Sequence, residues 1–173
     1  MSLIRLVAWS VLLACGAALS SADSVQAQQK TLKDQLVGAW DTPTTVITRP
    51  EGTKFEPFGA APIGMIIFAA DGHFAMVVTR PDLPKLASSN RLAGTAEENK
   101  ALAEGVRALY GTYSVDEANK ALTYHVLGSS FPNEIGKNET RTILTLTADE
   151  VQWTNASGAA GGLPVLATWR RAK

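Results

Sequence analysis

Cysteine is almost absent from this chain, with one residue, Cys15, in 173. A single thiol closes no internal disulfide, so the hydrophobic core must hold the fold. Two histidines, His73 and His125, stand far apart in sequence, and without further cysteines they do not make a metal site. Net charge is missing as well, because 16 basic and 16 acidic residues cancel and neither sign gathers into a run. A nucleic-acid binder shows a basic face, which disfavours that class. Ser129-Ser130 lacks the Gly-x-Ser-x-Gly elbow of a hydrolase nucleophile. The glycines from Gly158 to Gly162 have no lysine or helix behind them to cradle a phosphate. No cofactor is expected, and no internal repeat is visible.

Long hydrophobic runs are scarce, and the one at the start is short. Arg5 is followed by the apolar stretch from Leu6 to Ala14, which weakens to Leu19 and gives way to Ser20-Ser21-Ala22-Asp23-Ser24. Val25-Gln26-Ala27 then offers the small residues a signal peptidase reads. Residues 1–27 are therefore expected to be a secretory signal peptide, 28–35 a lead-in, and 36–171 the folded domain. The run is too short for a membrane span. Leu12-Leu13-Ala14-Cys15 also resembles a lipoprotein processing box, which would leave a lipid anchor at Cys15. The expected location is periplasmic or secreted, with a lipoprotein as the alternative.

What the chain has in quantity is strand pattern. Leu36 to Trp40, extending toward Ile47, is the first candidate. Ile63–Phe68 is closed by Ala70-Asp71-Gly72, whose Asp-Gly pair signals a tight turn into His73–Arg80. Tyr110–Asp116 turns through Glu117-Ala118-Asn119-Lys120 into Ala121–Gly128, and Thr140–Leu146, Val151–Thr154 and Val165–Arg170 follow. One segment breaks the pattern. Thr95 and Glu98 fit a capping box, and Leu102, Val106 and Leu109 recur at helical spacing, which predicts a helix over about 96–109. Eight short antiparallel strands with one inserted helix suggest a mainly β, closed barrel, because closure removes exposed edges. A sandwich is the alternative.

Leu36-Val37-Gly38-Ala39-Trp40 resembles the Gly-x-Trp opening of lipocalins and other calycins. That resemblance implies that Trp40, introduced by Gly38, lies across one end of the barrel. It also implies that an arginine of the last strand, here Arg170, packs on its face. The chain from Leu36 to Arg170 is similar to the bacterial and fungal lipocalin-like domain family. The likeness is carried by Asp71-Gly72-His73, Arg80-Pro81, Arg91-Leu92-Ala93-Gly94-Thr95, the stretch from Tyr110 to Asp116, Tyr124-His125-Val126, Phe131-Pro132-Asn133, Gly136 and Arg141. The chain departs from that pattern at Glu134, where an aromatic is expected before the glycine. The resemblance implies a lipocalin-like barrel without implying an activity.

Candidate site residues follow from strand alternation. A turn centred near Ala118 sets His125 opposite Gly111 and Tyr113 opposite Thr123. His125 and Tyr113 would then share a face, with Ser129 farther along it and space beside Gly111. The functional expectation is a polar contact, or an acid/base pair, inside an apolar barrel; the plain one is a histidine bonded to neighbouring hydroxyls. Arg141 and Arg80 are further ligand candidates, unless they pair with Glu139 and Asp82. Three functions are compatible with the sequence. The first is an exported binder of a small, largely apolar molecule, walled by Met65–Phe68 and Phe74–Val78 and covered by the helix. The second is an isomerase- or cyclase-type enzyme using His125 and Tyr113, and the third a non-catalytic envelope protein with a filled barrel.

Overall fold

The structure is a computed structural model that describes residues 30–155 and 161–173. The expected signal segment and Cys15 lie outside the described residues. The chain forms helix α1 (Leu32–Leu36) and strands β1 (Gly38–Thr48), β2 (Lys54–Phe55), β3 (Ile63–Phe68) and β4 (His73–Thr79). Helix α2 (Ala96–Gly105) follows, then β5 (Val106–Asp116), β6 (Ala121–Ser129), β7 (Asn138–Leu146), β8 (Glu150–Asn155) and β9 (Val165–Arg171). Every pairing is antiparallel, in the order β1-β3-β4-β5-β6-β7-β8-β9, and β9 returns to pair with β1. Eight strands thus close into the expected barrel, while β2 adds two residues to the far end of β1.

Alternation in the sequence decides which way each side chain points. Phe74, Met76 and Val78 of β4 are buried and His73, Ala75 and Val77 are exposed. The Asp71-Gly72 turn works as anticipated, with Gly72 at φ +93° and the Asp71 side chain accepting from the His73 N–H at 3.0 Å. One end of the barrel is filled by aromatic rings. Phe74 stacks on Tyr124 with ring centroids 4.1 Å apart, and Phe68 meets Tyr113 edge-on at 4.9 Å. Trp40 closes this end, its Nε1 donating to Leu36 O at 2.8 Å. Leu36, expected to open the first strand, instead ends α1, whose capping box is made by Thr31 and Asp34. The guanidinium on the Trp40 face belongs to Arg171, at 3.7 Å from the ring centroid, and not to Arg170. Arg170 points outward and pairs with Glu150 at 3.1 Å. The register explains the difference: Trp40 pairs directly with Arg171, so period-two alternation sends Trp169 and Arg171 inward and Arg170 out. Gly38, at φ +119°, leaves room for this clamp, since a Cβ there would lie 3.0 Å from Arg171 Nη1.

Two further expectations are corrected. The helix stops at Gly105, because Val106 to Leu109 pair with Thr79 to Met76 of β4. A ladder of backbone hydrogen bonds along a closing barrel outweighs the weak helical preference of that stretch. The second correction is a one-residue shift between β5 and β6. Thr112 pairs with His125 and Tyr113 with Tyr124, leaving a four-residue turn with Lys120 at φ +50°. A shift of one residue exchanges the two faces of a strand. Tyr113 and Tyr124 therefore point inward, while His125 is exposed on the outside. Gly111 opens no pocket either: β6 backbone takes its space, and a Cβ at Gly111 would meet His125 O at 2.0 Å.

Candidate functional site

Beyond the aromatic layer the barrel interior is not filled. A cavity of about 140 Å³ lies between β1, β4, β5, β7, β8 and β9, toward the end of the barrel remote from Trp40. Met76, Val78, Trp153 and Trp169 form apolar walls, and Arg107 and Arg141 supply its charged groups. Pro57 and Phe58, between β2 and β3, also line it, whereas no residue of α2 does. The expected covering element is thus replaced by a loop. Of the two apolar strands expected as walls, only Met76 and Val78 reach the cavity; Met65 and Ile67 point outward. The space matches a cavity known to take a single benzene ring, about 150 Å³.

A compact set of charges stands beside this space. Arg141 and Glu139, two residues apart on β7, both face inward, although the strand around them carries exposed Thr140 and Thr142. Arg141 Nη2 donates to Glu139 Oε2 at 2.6 Å, and Nη1 to Glu139 O at 3.0 Å. Arg107 Nη2 lies 2.5 Å from Glu134 Oε1 and 3.5 Å from Glu139 Oε2. Glu134 arrives from the 3₁₀ turn Pro132–Glu134 and is 3% exposed. Its other oxygen accepts from Ser129 Oγ at 2.9 Å. The Arg141 guanidinium also lies over the Tyr124 ring, 3.8 Å from its centroid. Burial alone would raise the Glu139 carboxyl, but the charges of Arg141 and Arg107, with hydrogen bonds to Arg141 and Glu134, outweigh it, and the group sits below its ordinary value. Burial pushes the Tyr124 phenol far up, against the opposing influence of the two arginines.

The geometry of a closed antiparallel barrel agrees with the family comparison, in which a lipocalin-like domain model matches residues 37–172. The chain belongs to the lipocalin-like domain family. Among solved structures, a redesigned β barrel is similar with a TM-score of 0.44 and 10% identity, over 84% of this chain and 98% of that one. No curated protein matches the chain.

The lipocalin-like barrel distributes the residues singled out in the sequence over four places. Arg141 lines the cavity. Ser129 faces inward beside it, because a bulge around Leu127 reverses the strand face between His125 and Ser129, and Ser129 pairs with buried Leu109. Tyr113 is buried in the aromatic end, its hydroxyl donating to Ala69 O at 2.9 Å, and burial raises its phenol. His125 lies outside, with Nδ1 2.9 Å from Asn138 Oδ1. The pairing of His125 with Tyr113 in one cavity is therefore corrected: the two occupy opposite faces of the barrel wall. Arg80 leaves the barrel altogether and forms a two-pronged, exposed pair with Asp82 at 3.0 and 2.8 Å. The register sets His73, Thr112, His125 and Asn138 side by side on the outer face. The two histidines, remote in sequence, are thus two strand spacings apart, roughly 10 Å. Among the described residues no group of three or more His, Cys, Asp or Glu is placed to hold a metal.

Sequence reading missed Arg107, Glu134 and the two tryptophans of the cavity. Arg107 was hidden by the helical spacing of its neighbours. The alternation Arg107, Leu109, then Gly111 and Tyr113 marks it as inward once the segment is read as strand.

Proposed function

We propose that this lipocalin-like barrel is an exported binder of a small, largely apolar molecule held in the cavity remote from Trp40. The single observation that supports this reading is the open space of about 140 Å³ walled by Trp153, Trp169, Met76 and Val78. A barrel serving only as scaffold gains by filling such a space, because packed interiors approach crystal density. Instead the aromatic filling stops beside two arginines. The size points to a ligand of one ring or its equivalent, well below the 300–1,000 Å³ typical of drug-sized sites.

Trp153 and Trp169 make the site self-reporting. One-ring apolar compounds should change the tryptophan emission and raise the melting temperature. Val78→Trp, which fills the cavity, should abolish both effects while circular dichroism retains the β spectrum. Unchanged emission with every one-ring compound up to millimolar concentration would sink the reading.

Export is supported by the order of Arg5, the apolar stretch and Val25-Gln26-Ala27. Expression of the full chain in a Gram-negative host should give a periplasmic protein that begins at Gln28 by mass. A mature chain that begins at a lipid-modified Cys15 supports the anchored alternative instead, and an unprocessed cytoplasmic chain rejects export.

A further inference from the structure

The binding reading leaves the chemistry of the ligand open, and the hydrogen-bond inventory around the cavity narrows it. Two cations, Arg107 and Arg141, stand against two carboxylates, Glu134 and Glu139, which hold them at 2.5 and 2.6 Å. The set is internally neutral. An anionic ligand would add one unmatched negative charge to a mostly apolar chamber, and a cationic ligand would meet the two guanidiniums first. Both are disfavoured by the cost of an uncompensated buried charge.

The unpartnered polar groups on the side chains that line the cavity are of one kind. Arg107 Nε and Trp169 Nε1 are buried and have no hydrogen-bond partner among the described residues. Both side chains line the cavity, and Trp169 is only 2% exposed. Guanidinium and indole nitrogens donate and never accept. The Tyr124 hydroxyl is also unpartnered, but it both donates and accepts, and Tyr124 is not among the residues that line the cavity. Native interiors seldom leave buried donors unmet. The complement of such a site is a neutral molecule that brings an acceptor oxygen and needs no acceptor in return.

Resting on the binding reading above, we propose that the cavity takes a small neutral carbonyl compound, a ketone, ester or lactone on a single ring. Its oxygen supplies an acceptor to Trp169 Nε1 or Arg107 Nε, which are closed off from the cavity and turn toward the ligand on binding, and its hydrocarbon body lies against Met76, Val78 and Trp153. The two glutamates act as positioning residues that fix the guanidiniums and neutralise them.

The test uses three probes of nearly equal size on the mature protein: acetophenone, ethylbenzene and benzoate. At pH 7 acetophenone should bind roughly tenfold or more tighter than ethylbenzene, the factor expected for satisfying one buried donor. Benzoate should bind weakest. In the ¹H–¹⁵N spectrum, acetophenone but not ethylbenzene should move one indole N–H downfield, and Trp169→Phe should remove that signal. The same variant should bring the acetophenone-to-ethylbenzene affinity ratio close to one, whatever its effect on the two affinities taken singly. Equal affinity of the native protein for acetophenone and ethylbenzene overturns the carbonyl assignment but keeps the cavity reading. Tightest binding of benzoate overturns it in favour of an acid. Failure of all three to bind removes the cavity reading and this inference together. These comparisons hold on the native protein even if the tryptophan variant does not fold.

Discussion

Replacing Glu139 by alanine is expected to lower stability by about 3–5 kcal/mol, the cost of leaving a buried partner charge uncompensated. Glu139 and Arg141 are both almost fully buried, 5% and 4% exposed, and Arg107 shares the same carboxylate. The loss therefore falls on two guanidiniums at once. Urea unfolding should show a midpoint lower by more than about 1 M, at slopes of the usual 1–3 kcal/mol per M. The acid limb gives an independent check. Because the Glu139 carboxyl is held below its ordinary value in the folded protein, its contribution is complete above the unfolded carboxyl range, near pH 4.3. That contribution is lost as pH falls through the lower folded value. Stability of the native protein should thus decline below about pH 4.5, and Glu139→Gln should flatten that decline. A native-like midpoint for Glu139→Ala would mean that water reaches the cluster freely.

The second large effect is expected at the opposite end. Arg171→Ala should cost about 3 kcal/mol, combining the lost cation–π contact with hydrogen bonds from a charged donor. Arg171 donates to Gln35 O at 2.6 Å, Val37 O at 2.8 Å and Ala148 O at 3.2 Å while covering Trp40. Lysine cannot span three carbonyls and a ring face, so Arg171→Lys should recover little of the loss. Arg170→Ala is the matched control. Its exposed pair with Glu150 is of a kind worth less than about 1 kcal/mol, and its unfolding midpoint should barely move. Equal midpoints for the two alanine variants would refute the assignment of the clamp to Arg171.

These two sites differ in how far the sequence discloses them. The barrel is legible because hairpin turns such as Asp71-Gly72 and the alternation in His73–Thr79 are local signals. The Gly38–Trp40 floor is legible through its resemblance to known barrels. Placing Arg171 rather than Arg170 on Trp40 follows from the count of two from Trp169, once Trp169 is known to point inward. Register was the harder problem. Moving one residue into the Glu117–Lys120 turn, then adding a bulge at Leu127, sends His125 outward and returns Ser129 to the interior. Neither event has a local sequence mark that outweighs its neighbours. The Arg141–Glu139 pair was within reach of the sequence, but the rest of the charge cluster was harder still, because Arg107 and Glu134 come from two further elements. A polar residue at an inward position looks, in sequence alone, like one on the solvent face.

The clamp at Arg171 also fixes when the protein can exist. Val37 and Arg171 meet across 134 positions of sequence, and the edge of β1 opposite β3 is paired with β9. During synthesis β1 can pair with β3 early, but its other edge stays bare until β9 is free. Such long-range closure makes for slow folding. A chain whose β9 is not yet free would therefore carry hairpins but no enclosed chamber. The cavity is created in one late event, by the arrival of β9.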